Sequence, residues 1–472
     1  MQLKQIYKEI LNEAKKRKIN DLNKFNKLKL EVLSRYKTDR IPKNAAIASI
    51  ASGKDREAFK QLLSMKPTRT ISGVAPIALM MDPYPCPHTI KGIGPCTYCP
   101  GGPGSPFGDV PQSYTGKEPS TRRAIRNNYD PYFGVFNRLE HYIAMNLVPE
   151  KCEVILQGGT FNFFPKIYQE YFVKYLIKAM NDFSLLFYTN NKIDMKKFSI
   201  FFEMPADIED NERTKRIHGK LLFIKNLDLS NKEILNEVNY LFFNKNNLIK
   251  INKLINKIKD NEVKNKLTEQ WEKIIGQAEN NYEVSIINNN DGNNINEKVT
   301  IKNKINNNEN NINKKIIIKN KEEKILNKNS IIKNKIKNNS DANLIAIKKV
   351  IEKANSQANN SLTLEKIQEQ NENAKIRCVG LTIETKSDYG KLVQGNEMLR
   401  LGCTRVELGI QSIYDDVLEK TNRGNTVQDN IESIHILKDL GFKINAHYMP
   451  GLPYTTKEMD MRGLKELFEN PD

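Results

Sequence analysis

Five short runs set the rhythm of this chain. GVAPIALMM (Gly73–Met81) and EVILQ (Glu153–Gln157) have the length of buried strands, and CVGLTIE (Cys378–Glu384), TRVELGI (Thr404–Ile410) and KINAHYM (Lys443–Met449) are each strand-like. The segments between them carry apolar residues at helical spacing. An amphipathic helix is expected at roughly 166–181, and another at about 456–469. In VQDNIESIHILKDLGF the residues Val427, Ile431, Ile434, Leu437 and Leu440 form one helical stripe, with Gly441 as the C-terminal stop. Strands alternating with helices predict βαβ units on a parallel sheet, an α/β fold. After the last strand comes one helix and then Asp472, so the expected sheet lacks a closing strand.

Residues 1–70 read differently, as helical and basic, with a Ser/Gly break around 50–54. They hold 18 Lys/Arg against 7 Asp/Glu, a large share of the +18 net charge. Such a surplus suits a polyanionic partner, and a solvated basic helix explains it equally well. A second shift in texture runs from 184 to 355. Between Ile286 and Ser340 about four residues in five are Asn, Lys or Ile, a bias that cannot specify a unique core. The part before it, 190–279, is less extreme, contains the single Trp271, and leaves room for local helices. The expected organisation is therefore a basic helical segment (1–70), a first α/β part (71–183), a mostly disordered insertion (184–355) and a second α/β part (356–472).

Six cysteines in 472 residues do not make a disulfide framework. No run of about 18 apolar residues is present to span a membrane. The N-terminus lacks the apolar core of a signal peptide, and Glu9 and Glu13 count against an organellar transit peptide. A cytosolic or nuclear address is expected.

The chemistry concentrates in CPHTIKGIGPCTYCPGG, the loop after the first predicted strand. Its Cys86-x9-Cys96-x2-Cys99 spacing supports two readings in equal measure. Cys86, His88, Cys96 and Cys99 can form a four-ligand zinc site. Alternatively, three cysteines hold an iron–sulfur cluster and leave one iron open for a ligand. Tyr98, beside the last cysteine, can cover an adenine ring. Gly158-Gly159-Thr160 ends the second strand and allows close backbone approach. Glu384 and Thr385, then Glu407 and Gln411-Ser412, end later strands. Each can be an ordinary strand-end polar residue, but recurrence at one edge fits a ligand site.

Longer strings give this loop a context. PYPCPHTIKGIGPCTYCPGGPGSPFGDVPQSYTGKEPSTRRAIRNNYDPY, ILQGGTF, RCVGLTIET, MLRLGCTRVELGIQSIYDDVLEKTNRGNTVQDN and INAHYMPGLP resemble the elongator protein 3 family, the catalytic subunits of the Elongator complex. The resemblance covers most of 25–183 and 362–472. It implies a radical S-adenosyl-L-methionine (SAM) enzyme with a partial, truncated (β/α) barrel of the TIM type, acting on the wobble uridine of tRNA. It implies that Cys86, Cys96 and Cys99 bind a [4Fe-4S] cluster, with His88 a loop residue. It places SAM contacts at Tyr98, Gly158, Gly159, Thr160, Glu384 and Gln411. It also implies acetyl-CoA as acetyl radical source and a carboxymethyl product. Lys151 matches the family's lysine at acetyl-CoA; without the resemblance it reads as a solvated strand-entry lysine. The implied partners are tRNA, held by the basic N-terminus and by a cluster such as Arg122, Arg123 and Arg126, together with other Elongator subunits or a second copy of the chain, and no membrane.

Three departures stand out. The family's IETRPDYC reads IETKSDYG here, so Lys386-Ser387 replace Arg-Pro and Gly390 replaces a cysteine. The long insertion falls between strands. Further barrel strands and a C-terminal acetyltransferase domain are not in this sequence, so a protein acetyltransferase reading has no support. The expected alternative from another class is a catalytically inactive RNA-binding scaffold with a structural zinc site.

Overall fold

The computed structural model describes residues 2–36, 44, 47–48, 51, 55, 58–63, 70–145, 147–204, 206, 210–243, 282–287, 298–303, 342–343, 345–355 and 362–469. Five strands, β1 (Val74–Met80), β2 (Lys151–Gln157), β3 (Arg377–Lys386), β4 (Arg405–Gln411) and β5 (Lys443–Tyr448), form one sheet in the order β1-β2-β3-β4-β5. Every neighbouring pair is parallel. Sequential order with parallel pairing is the topology of a barrel opened between its first and last strands. β1 to β4 form around apolar residues buried at alternating or adjacent positions, while β5 at the edge is mostly exposed. Ile77, Val154, Leu156, Ile383, Val406 and Leu408 are all fully buried.

Helices α3 (Pro119–Arg126), α4 (Pro131–Ala144) and α5 (Lys166–Phe187) follow the first two strands. The Asp130 side chain caps α4 by accepting the Tyr132 and Phe133 amides. α5 is buried nearly all round, with Tyr168, Phe172, Tyr175, Phe183 and Phe187 in the core. It extends six residues beyond the expected end at 181.

The expected start of the insertion is corrected here. Residues after 184 continue into α6 (Met195–Phe201), α7 (Asn211–Lys225) and α8 (Lys232–Phe243). Arg213 on α7 is buried against Glu140 of α4, and its Nε donates to the Phe202 carbonyl at 2.9 Å. Lys225 bonds Asp130 at 2.7 Å, and His218 stacks on Phe133 at 4.6 Å. Phe198, Phe201, Phe202, Ile217 and Leu221 supply enough apolar surface to hold this layer in place, which the rising Asn and Lys content masks. The Asn/Lys/Ile-rich stretch belongs to a separate unit, Leu248–Lys337. Its described residues are two antiparallel strands, Tyr282–Ile287 and Lys298–Asn303. Trp271 and most of 286–340 lie outside the described residues.

In the second α/β part, α9 (Leu364–Glu372), α10 (Leu392–Arg400), α11 (Asp415–Lys420), α12 (Val427–Asp439) and α13 (Lys457–Glu469) connect or follow β3, β4 and β5. Thr426 and Asp429 form a capping box at α12. The expected apolar stripe of α12 is only partly the buried one. Ile431 is 39% exposed, and the buried positions are Asn430, Ser433 and Leu437. The polar pair has a reason. Asn430 Nδ2 lies 3.4 and 3.2 Å from the Ile410 and Ser412 carbonyls, beside the register shift of β4, where the Ile410 carbonyl also accepts from the Ser412 amide at 2.8 Å. Ser433 Oγ donates to the Gly390 carbonyl, and a Cβ at Gly390 would lie 2.0 Å from it. The glycine that replaces the family cysteine therefore makes room for Ser433.

The N-terminal segment has its own core. Ile6, Tyr7, Ile10, Leu11 and Ala14 of α1 (Gln2–Lys16) cluster with Phe25, Leu28, Val32 and Leu33 of α2 (Leu22–Ser34). Arg17 pairs with Glu13 and Glu31, and Arg35 with Glu9 and Glu31. Part of the basic surplus is thus spent within the fold, while Lys8, Lys16, Lys18, Lys24 and Lys27 remain exposed.

Candidate functional site

In parallel sheets, loops at the carboxyl ends of the strands meet at one edge, and ligands bind there. A cavity of about 620 Å³ opens at that edge. The loop after β1 supplies Cys86, Cys96, Tyr98, Cys99 and Tyr114 to its lining; the end of β2 supplies Gly159 and Thr160. Glu384 and Lys386 come from β3, Glu407 and Gln411 from β4, Arg423 from the turn after α11, and His447 from β5. Eight of the ten expected site residues line this one space. Gly158 joins them through its backbone, and Lys151 does not. It begins β2 in register with Val74 and Arg377, at the opposite edge of the sheet. Seven residues of strand put about 20 Å between it and the cavity.

The cysteine loop owes its path to glycines. Gly159 has φ +106°, and a Cβ there would approach Gln112 Cβ to 3.2 Å and Cys86 Sγ to 3.9 Å. A Cβ on Gly101 would fall 1.8 Å from the Tyr114 carbonyl oxygen. All three thiols are free. Cys99 Sγ donates toward the Gly101 carbonyl at 3.1 Å and Gln112 Oε1 at 3.2 Å, and Thr160 Oγ1 lies 4.0 Å from Cys86 Sγ. Burial pushes the Cys86 thiol up to about 12, with neighbouring Cys99 adding to the rise and Lys386 and Arg423 opposing it.

Glu384 is the junction of three segments. Its carboxylate accepts from Tyr114 Oη at 3.2 Å and from the Gly158 amide at 3.2 Å. Burial pushes it up to about 7, against the pull of those two donors and of His447. The native state therefore binds this proton more tightly than the unfolded chain. The resulting stability is full below pH about 4.5 and is lost as pH rises through 7. A Glu384→Gln variant is expected to gain about 2 kcal/mol relative to the parent at pH 8 and little at pH 4.5. Urea unfolding at the two pH values checks this, and an equal change at both refutes it.

Gln411 has φ +65°, an observed strain for a non-glycine residue, at the register shift that ends β4. Its Oε1 and Thr385 Oγ1 are buried without a hydrogen-bond partner among the described residues. Both atoms border the cavity, so it offers polar groups to a ligand. Glu407 pairs with His447 and accepts from Asn445 Nδ2 at 2.8 Å. The hydrogen bond to Glu407 holds His447 above the usual histidine range.

Against this geometry, residues 2–71 match the ELP3 N-terminal domain and residues 341–462 the radical SAM superfamily. The tRNA uridine(34) acetyltransferase of Methanocaldococcus jannaschii is 28% identical over 99% of this chain and 53% of its own length. The Elongator complex protein 3 of Homo sapiens is 26% identical over 99% and 52%. The chain matches the N-terminal and radical SAM part of elongator protein 3. It spans about half the length of the curated relatives it matches. The Elp3 structure from Methanocaldococcus infernus overlays at a TM-score of 0.38 with 20% identity, covering 84% of this chain and 43% of that one.

A radical SAM match implies a [4Fe-4S] cluster and SAM, and the residues present fit both. Three free thiols border one cavity, with Arg423 Nη1 at 3.9 Å from Cys96 Sγ to offset negative charge. The unpartnered oxygens of Gln411 and Thr385 await a polar ligand. Sequence reasoning alone did not find Tyr114, Arg423 or His447 as lining residues, and it knew Lys386 only as a departure. Their signals were confined to SYTG, NRGN and AHYM, strings with no spacing rule of their own. Arg122, Arg123 and Arg126 lie on α3 and do not line the cavity.

Proposed function

We propose that this chain forms the radical SAM part of an enzyme that modifies the wobble uridine of tRNA, with acetyl-CoA as the acyl source. The observation that carries the reading is the convergence of Cys86, Cys96 and Cys99 on a cavity also bordered by Glu384 and Gln411. Its agreement with the radical SAM match is the further support. Cys86, Cys96 and Cys99 would hold the cluster. Tyr98, the Gly158–Thr160 turn, Glu384 and Gln411 would orient SAM. When bound, cluster and SAM supply one-electron chemistry that yields a carbon radical. The protein positions the reacting groups and keeps water out.

A contact of acetyl-CoA with Lys151 would lie outside the cavity, at the amino edge of the sheet. The exposed lysines of α1 and α2 would meet the tRNA backbone through a salt-dependent contact. The zinc-scaffold alternative is less well supported. The radical SAM match favours the cluster, while zinc would have to draw His88, whose Nε2 lies 3.6 Å from Cys96 Sγ, into the ligand set.

Anaerobic reconstitution with iron and sulfide, followed by reduction in the presence of SAM, tests the reading. It is expected to yield 5′-deoxyadenosine, in larger amount when tRNA is added. Stoichiometric zinc and no 5′-deoxyadenosine would overturn it.

A further inference from the structure

Cys96 faces two nitrogen-bearing side chains directly, those of His88 and Arg423. His88 Nε2 lies 3.6 Å from its sulfur, and Arg423 Nη1 lies 3.9 Å away. Behind His88, Lys386 Nζ stands 3.4 Å from Nδ1. The same ammonium donates to the Arg423 carbonyl at 2.8 Å and faces the Asp388 carboxylate at 3.3 Å. A carbonyl and a carboxylate on two of its N–H groups are the surroundings of a charged ammonium, which has no lone pair to offer. His88 Nδ1 must then be the acceptor, so the ring proton sits on Nε2 and points at sulfur. Arg423 closes the ring from the other side, since its Nη2 is tied to the Gly409 carbonyl at 2.6 Å. His88, Lys386 and Arg423 are all more than nine-tenths buried. Gly424 locks the ring: its φ is +76°, and a Cβ there would meet His88 Cβ at 2.9 Å.

We propose that Lys386, His88 and Arg423 form a positioning relay on Cys96. In it His88 is an N–H donor to the cysteine sulfur and not a metal ligand, and the lysine that departs from the family arginine fixes its tautomer. Lysine suits this task because its ammonium carries donors and no acceptor, a property that arginine shares. Hydrogen bonds and positive charge withdraw electron density from a ligating sulfur, and so raise the reduction potential of the iron it holds. The consequence for the potential rests on the cluster reading above; the tautomer of His88 does not.

Two measurements separate the relay from that reading. The first uses metal-free full-length chain labelled with 15N at its five histidines. His88 is expected as the Nε2–H tautomer. That preference should be retained in Lys386→Arg and lost in Lys386→Met. An Nδ1–H tautomer in the parent overturns the relay whatever metal the protein takes.

The second measurement is a potentiometric EPR titration of reconstituted protein. His88→Ala is expected to keep its iron and its far-UV circular dichroism. At a fixed solution potential its ratio of reduced to oxidised cluster should fall about tenfold, a shift of about 59 mV for one electron. His88→Gln, whose amide can donate in place of Nε2, should recover most of the shift. Loss of iron from a folded His88→Ala, or an unchanged potential, overturns the proposal. A parent that binds zinc through His88 overturns it as well.

Discussion

A Cys96→Ala/Cys99→Ala variant is expected to lose its iron entirely, where the parent chain binds roughly four irons with absorbance at about 400 nm after anaerobic reconstitution. The expectation follows from the ligand set. A three-cysteine site has no spare protein ligand, and His88 has its proton directed at Cys96 by the Lys386 contact. Two of three anchors removed leave Cys86 alone on the cavity wall. The substitutions should leave the fold intact, because they remove only a sulfur each and leave the close backbone approach of Gly101 to the Tyr114 carbonyl in place. Iron analysis and far-UV circular dichroism on the same sample decide the matter. Retained iron would mean that other residues hold the metal.

The largest stability effect is expected far from that loop. Arg213→Ala should cost about 3–5 kcal/mol, because it leaves the buried Glu140 carboxylate without its partner. Burial alone pushes Glu140 above the usual carboxylate range even with Arg213 in place. The variant also frees the Phe202 carbonyl that Arg213 satisfies. The double change Arg213→Met/Glu140→Leu should recover much of the loss, since an apolar pair of similar volume avoids burying charge. Denaturant unfolding of the three proteins measures it. A loss below about 1 kcal/mol for Arg213→Ala would mean that α7 does not dock on α4.

These two regions show what can be read from the sequence and what cannot. The strands of the sheet were legible nearly to the residue. Expected at 153–157 and 404–410, they are found at Lys151–Gln157 and Arg405–Gln411, because buried Val154, Leu156, Val406 and Leu408 recur at the period of two that a strand imposes. The strand-end residues Glu384, Glu407 and Gln411 could be picked out because strand direction alone fixes which edge they share. Arg423 and Tyr114 were not, since the path of a loop, not a period, brings them to the cavity. The helices between 195 and 243 were masked by composition. Their docking depends on a few residues, such as Arg213, Lys225 and His218, whose partners lie 73 to 95 positions earlier in the chain. The apolar stripe of α12 misled for another reason. Asn430 and Ser433 are buried because they bond the Ile410, Ser412 and Gly390 carbonyls, and hydropathy ranks such residues as surface.

The junction at Glu384 also sets a schedule for synthesis. Its bond to the Gly158 amide joins residues 226 apart in sequence, and the β2–β3 pairing beneath it spans the same interval. At about 5–20 residues per second, a ribosome takes roughly 10–45 s to cover that distance. Throughout that time β2 has no partner on its inner edge, and the cavity wall facing the three thiols has not been made. Cys86, Cys96 and Cys99 therefore pass through the early life of the chain open to oxidants and to stray metal ions.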